Sequence, residues 1–251
     1  KLMVDIGSHH IQALAYLGVC SGWWHSLYRL GSMRYEGTAV YTNKAPTCAM
    51  QGYGGPQVTF GVETMMDIIA EEINMDPIEL RLKNYVGLGE IFWGQGPTIR
   101  SMIHSDGVKE LLETGAEYIN WKDRPDPKSQ TGRYRKGIGM ARGFHTSGTG
   151  APVPGEVKDY TTVQVKVNED GSIDILTALM DHGGGTLDAA AKLVAEEFSV
   201  PFEKIGISPA DTRSTGYDVC THATRGVYCG AGAVLEVAKE SKNVLLGYAV
   251  R

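Results

Sequence analysis

TNKAPTCAMQGYGGPQ, residues 42–57, is the stretch on which the fold reading turns. Gly52, Gly54, Gly55 and Pro56 crowd its end. Glycine tolerates φ > 0 and lets a backbone come close to a neighbour, whereas proline fixes its own φ and restricts the residue before it. GYGGPQ therefore reads as a rigid, exposed turn that opens a helix. The first N–H groups of a helix lack intrahelical partners and face any anion set in front of them. A plain helix-entry turn explains the same residues, and both readings stand at this point.

Downstream of the turn, Val58, Val62, Met65, Met66, Ile69 and Ile73 fall at offsets 0, 4, 7, 8, 11 and 15, which is one face of an α-helix. Asp67, Glu71 and Glu72 fall mainly on the other side. Asp76 and Pro77 then start a second helix over 78–85, with Asp76 as N-cap and Pro77 at the first helical position. Gly87 and Gly89 end it, and a third helix is expected over 108–119. Upstream, YEGTAVY at 35–41 alternates as a strand that feeds the turn. Residues 1–34 are apolar and aromatic without a steady period, so they predict a strand at 2–6 and only a short helix or turn from about Ser8. His9 and His10 are adjacent, about 100° apart on a helix, and ill placed to share a metal.

Residues 121–136, WKDRPDPKSQTGRYRK, are polar, basic and proline-bearing, and read as a connector between 1–120 and 137–251. Strands are expected beyond it at 137–145, 161–167 and 172–179. The last two form a hairpin about Asn168, Glu169, Asp170 and Gly171. After the interruption at 182–185, Leu187, Ala190, Leu193, Val194 and Phe198 share one face of a helix over 187–198. A short strand near 205–208 follows, then a last helix over about 224–244 whose start is rich in small residues. The fold class expected is α+β, two mixed α/β subdomains with helices packed on sheets.

The chain has 251 residues, 42% hydrophobic and 21% charged, enough for one large core or two smaller ones. A net charge of −5 argues against nucleic acid, and no apolar run reaches the roughly 18 residues that a membrane span needs. Cys20, Cys48, Cys220 and Cys229 show no CxxC spacing and are too sparse for a disulfide scaffold, which points to a reducing, cytoplasmic compartment. The chain opens at Lys1 without a signal sequence and closes on LLGYAVR, so it reads as a piece of something longer.

Three loops of small residues each stand directly before a helix: GYGGPQ, HGGGT at 182–186 and CTHATRG at 220–226. Such loops suit phosphates or oxyanions through backbone N–H groups and the helix dipole, and three of them suggest a large polyanionic ligand. None is a GxxxxGK[ST] loop or a dinucleotide GxGxxG fingerprint, and a GxSxG elbow is absent. Cys220, His222 and Cys229 do not make a standard zinc set. His182, beside three glycines, reads either as an acid–base group or as a loop histidine bonded to backbone.

VYTNKAPTCAMQGYGGPQ, VETMMDIIAEEINMDPIELRLKNYVGLGE and GSIDILTALMDHGGGTLDAAAKLVAEEF together resemble the molybdenum-binding subunit of the xanthine dehydrogenase and aldehyde oxidase family, in its central-to-C-terminal part. The pattern TN-x-x-P, GYGGPQ, E-x-x-x-D and MDP-x-E-x-R-x-x-N is specific, and the likeness runs through nearly the whole chain. The resemblance implies part of a larger molybdopterin-binding domain. Its cofactor would be a molybdenum–pterin group, as molybdopterin or its cytosine dinucleotide form. It also implies a molybdenum hydroxylase that adds water-derived oxygen to an aldehyde or N-heterocycle, electrons passing to iron–sulfur clusters and FAD on partner chains or domains. The partners implied are other segments of the molybdenum subunit, an iron–sulfur subunit, an FAD subunit and a small-molecule substrate.

On that resemblance Met50, Gln51 and Gly52 belong to the loop at the molybdenum end, and Tyr53 takes the aromatic position facing a flat substrate. Gln51 stands where the family usually has arginine, and would share in substrate binding. Gly183, Gly184 and Gly185 align with a Gly-Gln-Gly loop, with Gly184 at the glutamine position. Thr221, His222, Ala223 and Thr224 match a turn that binds pterin or pyrophosphate. No residue matches the family's catalytic glutamate, so no catalytic residue or protein metal ligand is assigned. An inactive cofactor-binding or structural homologue is the alternative, and the chain alone is expected to be inactive.

Overall fold

The computed structural model describes residues 1–10, 13–92, 101–148, 160–208, 210–219 and 221–250. They form two compact units, Lys1–His145 and Thr146–Arg251. The architecture is mixed α and β, helices packed on small sheets, as the pattern of elements predicts.

In the first unit, β1 (Leu2–Asp5) and β2 (Gly37–Val40) pair in parallel, Leu2 opposite Gly37 and Asp5 opposite Val40. Parallel neighbours need a crossover, and α1 (Ala13–Leu27) supplies it. Here the sequence expectation of a short helix or turn is corrected: α1 is a 15-residue helix. Its buried residues, Cys20, Gly22, Trp23, Ser26 and Leu27, mix small and polar types, while Leu14 is exposed, so burial leaves no clean apolar stripe in the sequence. Next come α2 (Gly55–Glu72) and α3 (Pro77–Asn84). The Asp76 side chain caps α3, accepting from the Ile78 and Glu79 amides at 2.8 and 3.4 Å. Cys20, Trp23, Leu27, Tyr28, Val58 and Val62 form the core between α1 and α2.

The motif residues Glu63, Asp67 and Arg81 make a clasp between α2 and α3, buried at Glu63 and Arg81 and exposed at Asp67. Arg81 Nε meets Glu63 Oε2 at 2.8 Å, and its Nη1 meets Asp67 at 2.8 Å. Its Nη2 donates to the Glu63 carbonyl at 3.0 Å. Tyr28 donates its hydroxyl to Glu63 at 2.5 Å, and the Arg142 amide donates to the same carboxylate at 3.0 Å. Arg81 is fully buried and Glu63 almost so, which is tolerable only because both are paired and hydrogen-bonded.

β3 (Ile91–Phe92) and β4 (Ser101–Met102) form a short antiparallel pair ahead of α4 (Val108–Tyr118). Trp121, at the start of the 121–136 segment, packs with Ile78 and Leu112 and donates its indole N–H to Asp76 at 2.9 Å. The strand expected at 137–145 is a second correction. The segment joins no ladder, although burial alternates at Met140, Arg142 and Phe144. Arg142 makes its bonds to the Glu63 carboxylate and the Leu27 carbonyl instead of a neighbouring strand.

In the second unit, β5 (Val163–Val167) and β6 (Ile173–Thr177) form the expected hairpin, Val163 opposite Thr177 and Val167 opposite Ile173. Gly171 closes its turn at φ +77°, and the Asn168 amide donates to the Ser172 carbonyl at 2.8 Å. β7 (Ile205–Ser208) lies parallel to β6, the crossover being α5 (Thr186–Phe198), so the sheet order is β5-β6-β7. The last helix opens as one π-helical stretch, Gly226–Ala231, before α6 (Gly232–Ala249). Ile173, Ile175, Leu179, Ala190, Val194, Val234 and Ala238 form this core.

Candidate functional site

The first of the three loops is a run of left-handed residues. Gly52, Tyr53 and Gly54 have φ of +85°, +32° and +84°. The Tyr53 amide donates to the Met50 carbonyl and the Gly55 amide to the Gly52 carbonyl, both at 2.8 Å. The glycines here are dictated chiefly by neighbours inside the chain. A Cβ on Gly54 would stand 2.9 Å from Cys20 Sγ and 3.0 Å from the Tyr16 ring. One on Gly55 would stand 2.6 Å from the Trp23 indole nitrogen. Tyr16, Cys20 and Trp23 lie at helical spacing on α1, so this face is the bed of the turn.

Met50 and Gln51 project from the turn into solvent. Tyr53 is half-buried, its ring edge-to-face with Tyr16 at 5.8 Å between centroids and 81° between planes. Burial raises the Tyr53 phenol, and burial followed by the neighbouring Cys20 pushes Tyr16 up to about 12.

The second and third loops both belong to the second unit, and the fold brings them together. Thr221 donates its hydroxyl to the Met180 carbonyl at 3.0 Å. A Cβ on Gly226 would stand 2.9 Å from Thr186 Oγ1, so the two helix starts touch. In the second loop, Gly183 and Gly185 have φ of +93° and +74°. Their amides, which the sequence offers to an oxyanion, donate to Asp181 Oδ1 at 2.7 and 3.1 Å. The Gly183 amide foremost, with those of Gly185, Leu187 and Gly184, holds the Asp181 carboxyl below the usual carboxylate range. His182 and the three glycines are exposed.

The third loop is strained. Ala223 and Thr224 have φ of +45° and +58°, and a β-branched residue there is an outlier. The Gly148 amide holds the Ala223 carbonyl at 2.7 Å, and the Arg225 amide holds that of His222 at 2.9 Å. Arg225 is itself fully buried. Its guanidinium donates to Asp218 at 3.0 Å, to the Tyr160 carbonyl at 2.8 Å and to Thr161 Oγ1 at 2.7 Å. His222 Nδ1 is buried within this turn without a hydrogen-bond partner, the kind of atom that calls for an explanation.

No group of three or more histidine, cysteine or acidic side chains placed to hold a metal occurs among the described residues, and Cys220 lies outside them. Sequence reasoning missed three features: Asp181, the Asp218–Arg225 anchor and the role of Glu63 with Arg81. Only the first left a local signal, an aspartate two residues ahead of a glycine, as in an Asx turn.

No helix among the described residues is long and apolar enough to cross a membrane. Two family models, each described as a molybdopterin cofactor-binding domain, match residues 1–85 and 114–250. A putative xanthine dehydrogenase molybdenum-binding subunit of Escherichia coli K12 is 33% identical over 225 residues, 89% of this chain and 29% of that protein. An aldehyde oxidoreductase of Megalodesulfovibrio gigas is 30% identical over 226 residues, 89% of this chain and 22% of its own length. The chain thus spans less than a third of these relatives. Among solved structures, the aldehyde oxidoreductase of Desulfovibrio gigas superposes with a TM-score of 0.77 at 25% identity, over 95% of this chain and 25% of that one. Quinoline 2-oxidoreductase of Pseudomonas putida 86 shares the fold, with a TM-score of 0.73 at 20% identity over 94% of this chain and 31% of that one. With one cofactor-domain match covering more than half of its residues, the chain belongs to the molybdopterin cofactor-binding domain family.

Proposed function

We propose that this chain supplies part of the cofactor and substrate surface of a molybdenum hydroxylase acting on an aldehyde or an N-heterocycle. The observation that carries the reading is the orphaned Nδ1 of His222, in a strained turn that the buried Arg225 and Asp218 hold in place. Such an atom fits a polar group arriving from outside the chain. Thr221, His222, Ala223 and Thr224 would take the pterin or its pyrophosphate. Gly183, Gly184 and Gly185, where an added Cβ meets nothing within 4 Å, would give the cofactor a bare backbone surface. Met50, Gln51 and Gly52 would lie at the molybdenum end, in a molybdopterin or cytosine dinucleotide form of the group.

The bound cofactor supplies the two-electron chemistry that adds water-derived oxygen to the substrate carbon. The chain's own part is orientation. The half-buried Tyr53 ring, braced by Tyr16, would stack on a flat substrate, and the neutral Gln51 would hydrogen-bond it. The general base and the electron acceptors, iron–sulfur clusters and FAD, would come from other segments and subunits of a cytoplasmic enzyme. The exposed Met65 and Ile69, on the same helix as the buried Val58 and Val62, and the exposed Ile73 at its C-cap support such a covering segment.

Gln51 and Gly184 also favour a second reading, an inactive homologue that keeps the cofactor surface without turnover. Molybdenum and pterin content, measured on protein co-expressed with its neighbouring subunits, tests both. We expect both components in the wild type and loss of pterin in His222→Leu, and turnover of aldehydes or N-heterocycles separates the active reading from the inactive one. An intact assembly without molybdenum or pterin would overturn both.

A further inference from the structure

The loop at 182–185 has the composition of a phosphate cradle, but its own chain has filled it. Asp181 Oδ1 sits where the Gly183 and Gly185 amides converge, at 2.7 and 3.1 Å. The two glycines are left-handed and Gly184 between them is not, which turns successive amides toward one point, the geometry of an anion nest. The nest stands at the start of the 13-residue helix α5, whose dipole favours the same charge. A tethered carboxylate competes intramolecularly for those amides. An incoming oxyanion would have to displace it or stand beside a like charge. No free cation of the first turns offsets that charge: Lys192 pairs with Asp188 at 2.6 Å.

We infer that Asp181 is the resident anion of this nest and the residue that positions the HGGG loop. The loop therefore meets its ligand with glycine Cα hydrogens, carbonyl oxygens and the His182 side chain, and it is not a phosphate cradle. Where a ligand carries phosphates, they fall to another part of the surface. This holds whether or not the molybdenum reading does, because it concerns who occupies the amides of the chain itself.

The test is a titration of the full chain, labelled with nitrogen-15, with pyrophosphate and with inorganic phosphate, read at the amides of Gly183, Gly184, Gly185 and Leu187. The wild type is expected to show no saturable shift there, while Asp181→Gly opens the nest and does. Exchange of the Gly183 and Gly185 amides should be at least about tenfold faster in Asp181→Gly, as expected on losing a hydrogen bond to a charged acceptor. Asp181→Asn, which keeps an oxygen acceptor but no charge, should fall between. A saturable wild-type shift at these amides overturns the inference. So does a folded Asp181→Gly variant with wild-type exchange and no response to either anion. Should Asp181→Gly fail to fold, the wild-type titration and the exchange rates of Asp181→Asn decide. Failure of the molybdenum reading registers separately, as missing metal and pterin, and leaves these shifts unmoved.

Discussion

The turn before α2 and the loop before α5 have nearly the same composition and opposite reasons for it. At Gly54 and Gly55 a side chain would run into Cys20, Tyr16 and Trp23, so the core of the first unit demands glycine. At Gly183, Gly184 and Gly185 a side chain would meet nothing within 4 Å, and at Gly184 not even the backbone angle requires its absence. One loop is glycine-rich because of what lies behind it, the other because of its own path and of whatever lies in front. Composition alone cannot separate the two causes.

The largest effect is expected at the clasp between α2 and α3 of the first unit. Arg81→Met leaves Glu63 buried without its cation, and should destabilise the chain by about 3–5 kcal/mol while leaving the amides of 183–187 unshifted. Urea unfolding combined with amide spectra checks both halves, and a loss below about 1 kcal/mol would mean the clasp is not desolvated as described. Next in size, Gly55→Val drives two methyl groups toward the Trp23 indole and should cost about 1–3 kcal/mol, against an effect within about 0.5 kcal/mol for Gly184→Gln. Equal losses at the two sites would abolish the distinction between the loops.

Smaller effects concern ligands. Gly52→Val should reduce molybdenum retention in the assembled protein with little change in helix content, since a Cβ there meets the Pro56 ring at 2.8 Å and φ is +85°. Unchanged metal content would make the turn purely structural. The smallest shift expected is in substrate preference. Wild type should prefer neutral over carboxylated aromatic substrates, and Tyr53→Ala should narrow that preference by the roughly 0.5–1.5 kcal/mol of an aromatic pair. Gln51→Arg should move it toward the carboxylated compound. Ratios of kcat/KM for matched compounds decide, and a wild type that already favours the carboxylate sinks the idea.

What the sequence made legible is local. The period of α2, the Asp76-Pro77 start of α3 and the Asn168–Gly171 turn of the hairpin need only neighbours along the chain, and each appears where expected. What it hid is tertiary. α1 carries no apolar stripe because Gly22 and Ser26 share its buried face with Trp23. Residues 137–145 alternate like a strand but spend that alternation on side chains and a helix carbonyl. The glycine loops were visible as glycines, while the direction from which each is constrained became visible only with α1 and Asp181 in place. His222 was nameable from its motif, but not the burial of one of its nitrogens.

The Glu63–Asp67–Arg81 clasp has a consequence for how such chains are found. Part of the pattern on which the resemblance rests, the E-x-x-x-D of Glu63 and Asp67 with the arginine of MDP-x-E-x-R, is a fastening between two helices. Selection on folding keeps a fastening even where selection on turnover has lapsed. A search keyed to it will gather working enzymes and retired ones alike, and sorting them requires the exposed positions, Gln51 and Gly184 here, that folding leaves free to drift.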